Sequence, residues 1–228
     1  MSAAVYMKGL WVPQQEARRY AKVKEVEGLL NLDVRKARAA LGYCVERNVA
    51  LDIGAHIGAT SVFLSRHFQR VEAFEAIPET FEFLVRNTDH IENVVARNIA
   101  AADREGELNF EYLEKHTQLA HVMAGDSQYY QQEGSRVIGP IIAKALDSLG
   151  LGDVSFIKID VEGTELDVLR GLERTILTSK PVIMIEQNQN ESRYHGRQAG
   201  EATQFLVHLG MRQIKKFPFK QDRLFTFR

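Results

Sequence analysis

Val49-Ala50-Leu51-Asp52-Ile53-Gly54-Ala55-His56-Ile57-Gly58-Ala59-Thr60-Ser61 decides how this chain folds. An apolar run reaches an acid, turns through glycine, and resumes as a second apolar stretch, the pattern of a buried strand, a tight turn and a helix. Open α/β folds begin a nucleotide site in this way. Glycine permits a positive φ and lets a ligand lie against bare backbone. The dinucleotide fingerprint asks for G-x-G-x-x-G, yet Gly54 and Gly58 stand four apart with Ala55 and His56 between them. Asp52 inside the motif suits a ligand with a cationic amino group better than a pyrophosphate. Together these features point to S-adenosylmethionine.

Downstream the strand–helix rhythm continues. A helix over 60–68 leads to a strand over 71–75, and Pro78 opens the next helix, a favoured first-turn position. A strand over 93–98 follows. Residues 107–112 alternate like an exposed strand, and 113–135, with His116, His121, Asp126, Ser127, Tyr129 and Tyr130, show no clear period. Long irregular segments of this kind tend to carry function. A helix over 143–149 ending at Gly150, a strand over 154–159, a helix through Leu166, Leu169, Leu172 and Ile176, and a strand over 181–186 complete the run. A polar loop through Gly200, a helix over 201–209 and two strands, 211–217 and 223–228, close the chain as a hairpin. The fold class expected is α/β: a three-layer Rossmann-like sandwich whose seven-stranded, mostly parallel sheet ends in an antiparallel pair. Asp52, Glu75, Asn98, Asp160 and Glu186 all fall at strand ends, where ligands of such sheets bind.

Upstream, 1–12 reads as an irregular lead-in. Ala17, Tyr20, Val23, Val26 and Leu30 recur at three and four, predicting an amphipathic helix over 14–30. A second helix follows Asp33, read as its N-cap. The organisation expected is an N-terminal helical extension, 1–48, on a catalytic domain, 49–228.

The chain's 228 residues, 45% hydrophobic and 26% charged, suit one soluble α/β domain with an elaboration. No apolar run approaches the roughly 20 residues of a membrane helix, and no signal-peptide core is visible, so a cytoplasmic protein with no membrane partner is expected. The single Cys44 excludes an internal disulfide and reads as a structural thiol. The net charge of −1 hides +4 over 1–48 and +5 over 212–228, against −10 between them. Basic ends fit an anionic substrate or nucleic acid, or simply solvated faces, the commoner case. The oligomeric state is left open.

Three motifs resemble the FkbM family of class I S-adenosylmethionine-dependent methyltransferases. They are the D-x-G-A-x-x-G turn at Asp52–Gly58, Phe74-Glu75-Ala76-Ile77-Pro78, and Ile157-Lys158-Ile159-Asp160-Val161-Glu162-Gly163-Thr164-Glu165. The match spans about 49 to 190, with His56 where the family has asparagine and Ala76 where it has proline. The resemblance implies that Gly54, Ala55 and Gly58 bring backbone to the methionine moiety, with Asp52 near its amino group and His56 and Thr60 beside it. Glu75 would accept from the ribose hydroxyls, Asn98 and Ile99 would flank the adenine, and Ala76 would also lie at the cofactor. A histidine at position 56 would add a pH dependence to cofactor affinity.

Asp160 is the expected acceptor-side carboxylate, with Glu162 and Glu186 as alternates. Asp160 and Glu162 share a face only if the strand turns after Asp160, since neighbours alternate. Glu162 and Glu165 could instead cap the next helix, the preferred role for Glu165. Asp160, Glu162 and Glu186 form a plausible oxygen set for a magnesium-type ion. Nothing in the spacing requires one, and no metal is assigned. Methyl transfer to a hydroxyl of a saccharide or other small molecule leads. A nucleic-acid methyltransferase is the first rival, although no Pro-Pro-aromatic motif is present. A nicotinamide-dependent oxidoreductase and a non-catalytic cofactor-binding protein are the others. Acceptor specificity is expected in 1–48 and 113–135.

Overall fold

The apolar run quoted first becomes a fully buried inner strand of the main sheet. The computed structural model describes residues 3–113, 116–123, 135–186, 196, 198–217 and 222–227. In chain order its elements begin with β1 (Ala4–Met7), β2 (Leu10–Pro13), α1 (Ala17–Tyr20), β3 (Glu25–Val26), β4 (Leu29–Leu30) and α2 (Val34–Ala40). The core alternates β5 (Val49–Ile53), α3 (Ala59–Ser65), β6 (Arg70–Phe74), α4 (Pro78–Thr88) and β7 (Val94–Arg97). An inserted group follows: β8 (Ala100–Ala101), β9 (Gly106–Leu113), β10 (His116–Val122) and β11 (Ser135–Lys144). The chain then returns through β12 (Val154–Ile159), α5 (Glu165–Arg170), α6 (Glu173–Ser179), β13 (Val182–Glu186), α7 (Glu201–His208), β14 (Arg212–Lys216) and β15 (Asp222–Thr226).

The main sheet has seven strands in the order β14-β15-β13-β12-β5-β6-β7. β15 runs antiparallel to both its neighbours, and the other pairs in the sheet are parallel. The expected α/β sandwich with an antiparallel C-terminal pair is therefore the fold. Its inner strands β5, β12 and β13 are apolar on both faces because both are covered. Ala50, Phe156, Val182 and Met184 join one core with Phe63 and Phe68, while Leu51, Ile157, Ile183 and Ile185 join a second with Leu169 and Leu206. The strand order reverses between β5 and β12, so their carboxyl ends open a crevice at the topological switch point.

The N-terminal segment departs from the expected helices. Residues 4–13 form a hairpin where a lead-in was expected. The helix predicted over 14–30 stops at Tyr20 and gives way to a second hairpin. Both hairpins turn on two-residue loops, Lys8-Gly9 and Glu27-Gly28, with φ positive at all four residues. That is the turn whose twist matches paired strands, and it overrides an apolar spacing that also fits a helix. α2 forms as expected, but Asp33 does not cap it through its side chain. Its carboxylate meets Lys36 instead. Leu10, Val12, Tyr20, Leu29 and Leu30 are buried in the same core as Phe63 and Phe156. At about 1.5–3 kcal/mol for each large apolar side chain buried, this segment is part of the core.

A second correction concerns the insertion. The helix predicted over 143–149 is only a 3-10 turn, Leu146–Leu149. Ala143 belongs to β11, where Ile141 and Ala143 are buried and Ile142 is exposed, the period of a strand. β11 pairs with β9 along its length and with β8 at its end, making a four-stranded sheet in the order β10-β9-β11-β8. Asp126, Ser127, Tyr129 and Tyr130 lie outside the described residues, as do 187–195 of the polar loop.

Candidate active site

The carboxyl ends of β5, β6, β12 and β13 open onto a cavity of about 710 Å³, within the range of roughly 300–1,000 Å³ usual for small-molecule sites. The sequence folds tightly here. Gly54 has φ +74°, and a Cβ at this position would stand 1.8 Å from the Asp160 carbonyl oxygen. The Asp160 N–H donates to Ile53 O at 3.1 Å, clamping the two strand ends together. Only glycine fits this contact.

Glu75 follows the last residue of β6 and is buried at the cavity wall. Its carboxylate accepts the His56 N–H at 2.8 Å and the Ile77 N–H at 2.9 Å. Burial raises its pKa to about 6 against the lowering effect of those donors. His56 also faces the cavity, and burial followed by the nearby Lys158 charge lowers its pKa to about 4. It is neutral at physiological pH.

On β12, Lys158 is paired in register with Asp52 on β5, so the two side chains share a face. Its ammonium lies 3.3 Å from Asp52 Oδ1 and 3.8 Å from Asp160 Oδ2, and donates to Gly54 O at 2.6 Å. Burial disfavours the charge, but Asp52, Asp160 and Asp33 outweigh it and hold the pKa above the usual lysine value. Sequence reasoning assigned Lys158 no role. The available signal was a lone charge inside Phe156-Ile157-Lys158-Ile159, since a cation in a buried strand requires a partner.

The turn needed after Asp160 is present: Glu162 has φ +58° and Gly163 φ +118°. Asp160 and Glu162 consequently both reach the cavity, where Glu186 arrives from β13. One oxygen from each of the three lies within 4.8 Å of the others. Glu165 does not line the cavity; its Oε1 accepts the Gly163 N–H at 3.1 Å, bracing the turn before α5 instead of capping the helix through its side chain.

Of the expected cofactor positions, Gly54, Ala55, His56, Thr60, Glu75, Ala76 and Ile99 line the cavity, and Asp52, Gly58 and Asn98 do not. Asp52 is fully buried and accepts from Ser61 Oγ at 2.6 Å, its other oxygen facing Lys158. Instead of lying open to an amino group, it anchors the lysine. Gly58 packs against Leu84. The Asn98 amide donates to the Glu75 and Ala76 carbonyls at 2.8 Å, holding the loop that carries Glu75. The Thr60 hydroxyl donates to Leu32 O at 2.9 Å, tying α3 to the N-terminal segment.

The cavity has two chemically different ends. Beside Glu75, Ala76, Ile77, Ile99, Ala100, Phe110 and Val122 make an apolar wall, with Phe110 and Val122 directly opposite each other across β9 and β10. His121, next to Val122, is buried outside this wall. The other end is polar, edged by Asp33, Arg35 and Lys36 of the N-terminal segment, by Glu186 and by Phe217. No described helix is long and apolar enough to cross a membrane.

The chain is similar to known proteins in sequence and in fold. The methyltransferase FkbM domain model matches residues 52–213. A hexuronic acid methyltransferase, AglP of Haloferax volcanii, is 29% identical over 149 residues, covering 64% of this chain and 59% of that protein. Methyltransferase 1 of Beauveria bassiana is 27% identical over 54% of this chain and 57% of its own length. The chain thus spans under two thirds of the length of either curated relative. Among solved structures, an FkbM methyltransferase from Methylobacillus flagellatus superposes with a TM-score of 0.52 at 17% identity, covering 79% of this chain and 43% of that one. An O-methyltransferase from Bacillus cereus, in complex with S-adenosylhomocysteine, gives 0.50 at 13% identity over 93% and 86% of the two chains. At these identities the superpositions establish the fold. With the family model covering most of the chain, from the glycine turn to the last hairpin, this chain belongs to the FkbM family of S-adenosylmethionine-dependent methyltransferase domains.

Proposed function

We propose that the protein transfers a methyl group from S-adenosylmethionine to a hydroxyl oxygen of a saccharide. The observation that carries this reading is the convergence of Asp160, Glu162 and Glu186 on the cavity that also holds the Gly54 turn and Glu75. The cradle fits the cofactor. Bare backbone at Gly54 leaves room for the methionine chain, the Glu75 carboxylate is held for ribose hydroxyls by two backbone donors, and the apolar wall beside it suits adenine.

When bound, S-adenosylmethionine supplies an electrophilic methyl carbon on a sulfonium. The protein's task is to align an acceptor oxygen behind that carbon and to take its proton as the O–C bond forms and the C–S bond breaks. Asp160 is the proposed base: Lys158 fixes its position, and Glu162 and Glu186 receive neighbouring hydroxyls. Several acceptor-only carboxylates suit a polyhydroxylated ligand. One curated relative, a hexuronic acid methyltransferase, points to the same class.

Calorimetric titration with S-adenosylhomocysteine, with NAD as a control, tests the cofactor half. Wild type should bind the homocysteine compound and not NAD, and Glu75→Ala should weaken binding by at least about tenfold, about 1.4 kcal/mol. For the acceptor half, Asp160→Asn should keep that affinity while losing about 10²–10⁴-fold in methyl transfer to a sugar hydroxyl, the usual contribution of a positioned base. Binding without turnover of any saccharide would favour a non-catalytic role, and binding of NAD alone would overturn the reading.

A further inference from the structure

Four cationic side chains line the cavity: Arg19, Arg35, Lys36 and Lys158. Three are committed. Lys158 is held by Asp52, Asp160 and the Gly54 carbonyl. Lys36 is gripped by Asp33 and by Asp222, the latter at 2.6 Å. Arg19 pairs with the buried Glu16 at 3.3 Å. Arg35 is exposed and makes no ion pair among the described residues. Its place is nevertheless fixed. Its backbone N–H donates to Asn31 Oδ1 at 3.0 Å, and the next residue, Lys36, is tied to β15. Arg35 lies outside the region matched by the family model, so the contribution belongs to this chain's own N-terminal segment.

The cavity floor carries three close carboxylates, which repel an anionic ligand unless a cation offsets them. A guanidinium at the rim is suited to that, since its planar fork meets a carboxylate through two parallel hydrogen bonds. We propose that Arg35 is a carboxylate-binding residue, taking a ligand carboxylate at the polar end of the cavity. The proposal rests on the cofactor and saccharide reading above. Two carboxylates share the required chemistry: that of the cofactor's methionine moiety, and that of a uronic acid acceptor. The segment that carries Arg35 is linked to α3 through Leu32 and Thr60 and to β15 through Lys36 and Asp222.

The test uses the full chain as wild type, Arg35→Gln and Arg35→Lys, and reads binding by calorimetry. One arm compares S-adenosylhomocysteine with its decarboxylated analogue, 5′-(3-aminopropylthio)adenosine. The other, with S-adenosylhomocysteine bound, compares methyl glucuronide with methyl glucoside. Wild type should prefer the carboxylate-bearing member of at least one pair by about tenfold, the scale of a charge-assisted bidentate contact. Arg35→Gln should abolish that preference, and Arg35→Lys should restore part of it. The pair that responds identifies the source of the carboxylate. No preference in wild type, or one that survives Arg35→Gln, overturns the proposal while leaving the cofactor reading intact. Failure of wild type to bind S-adenosylhomocysteine would sink that reading as well.

Discussion

Glu75 and His56 are hydrogen-bonded neighbours whose titrations run in opposite directions. Ribose hydroxyls would donate to the charged form of Glu75, so cofactor binding favours its deprotonated state. Its pKa is raised to about 6 by burial. Affinity for S-adenosylhomocysteine is therefore expected to hold steady above about pH 7 and to fall as pH drops through about 6, towards a limit of about tenfold per unit. In the unliganded protein the sign is reversed. A carboxyl whose folded value is raised adds stability below its unfolded value, and that contribution is lost as pH rises through 6. His56 stays neutral down to about pH 4, so His56→Asn should leave the affinity profile between pH 5 and 8 unchanged. Calorimetry across that range checks both expectations. At this scale the strand-end acids were legible, because an acid after an apolar run stands out by composition alone. The pairing of Asp52 with Lys158 was not, because it depends on the register between two strands 106 positions apart in sequence, and only the folded sheet sets that register.

Between elements, Asn87 on α4 acts as a stitch. Its side chain accepts the Trp11 N–H at 2.7 Å and donates to the Trp11 and Ile57 carbonyls at 2.9 and 2.8 Å. Arg86 lies over the Trp11 ring at 3.7 Å. The first hairpin is thereby joined to the helix behind the cofactor turn. Asn87→Ala removes three buried contacts and should cost about 3 kcal/mol, at roughly 1 kcal/mol each, read as a lowered urea midpoint. The alternating core elements were readable from periodicity because both covering layers demand apolar strands. The N-terminal hairpins were missed because strands of four residues in the first and two in the second, with x-Gly loops, carry too little pattern to compete with an apolar spacing of three and four. β10 and β11 were missed for a related reason. Their apolar positions serve a small separate core around Phe110, Val122 and Ile141, so the sequence there lacks the long runs of the main sheet.

Across the whole molecule, Lys36 joins the beginning of the chain to its end, meeting Asp33 beside it and Asp222 on β15. Asp222 is almost fully buried, and burial raises its pKa against the lowering effect of Lys36. Lys36→Met strips a buried carboxylate of its counter-ion and should destabilise the protein by about 3–5 kcal/mol. Because the N-terminal residues share a core with β12 and β13, the loss should appear as one cooperative transition at lower temperature in calorimetry, with no separate early melting of the first segment.

The ion pair between Lys36 and Asp222 bridges 186 positions of sequence. During synthesis the lysine leaves the ribosome long before its carboxylate exists, so the polar rim of the cavity is assembled last, after the sheet has acquired its final strand. A nascent chain would carry a nearly finished glycine turn and an unfinished binding site. Long-range closure of this kind slows folding, and it makes the polar rim of the cavity wait on the synthesis of β15.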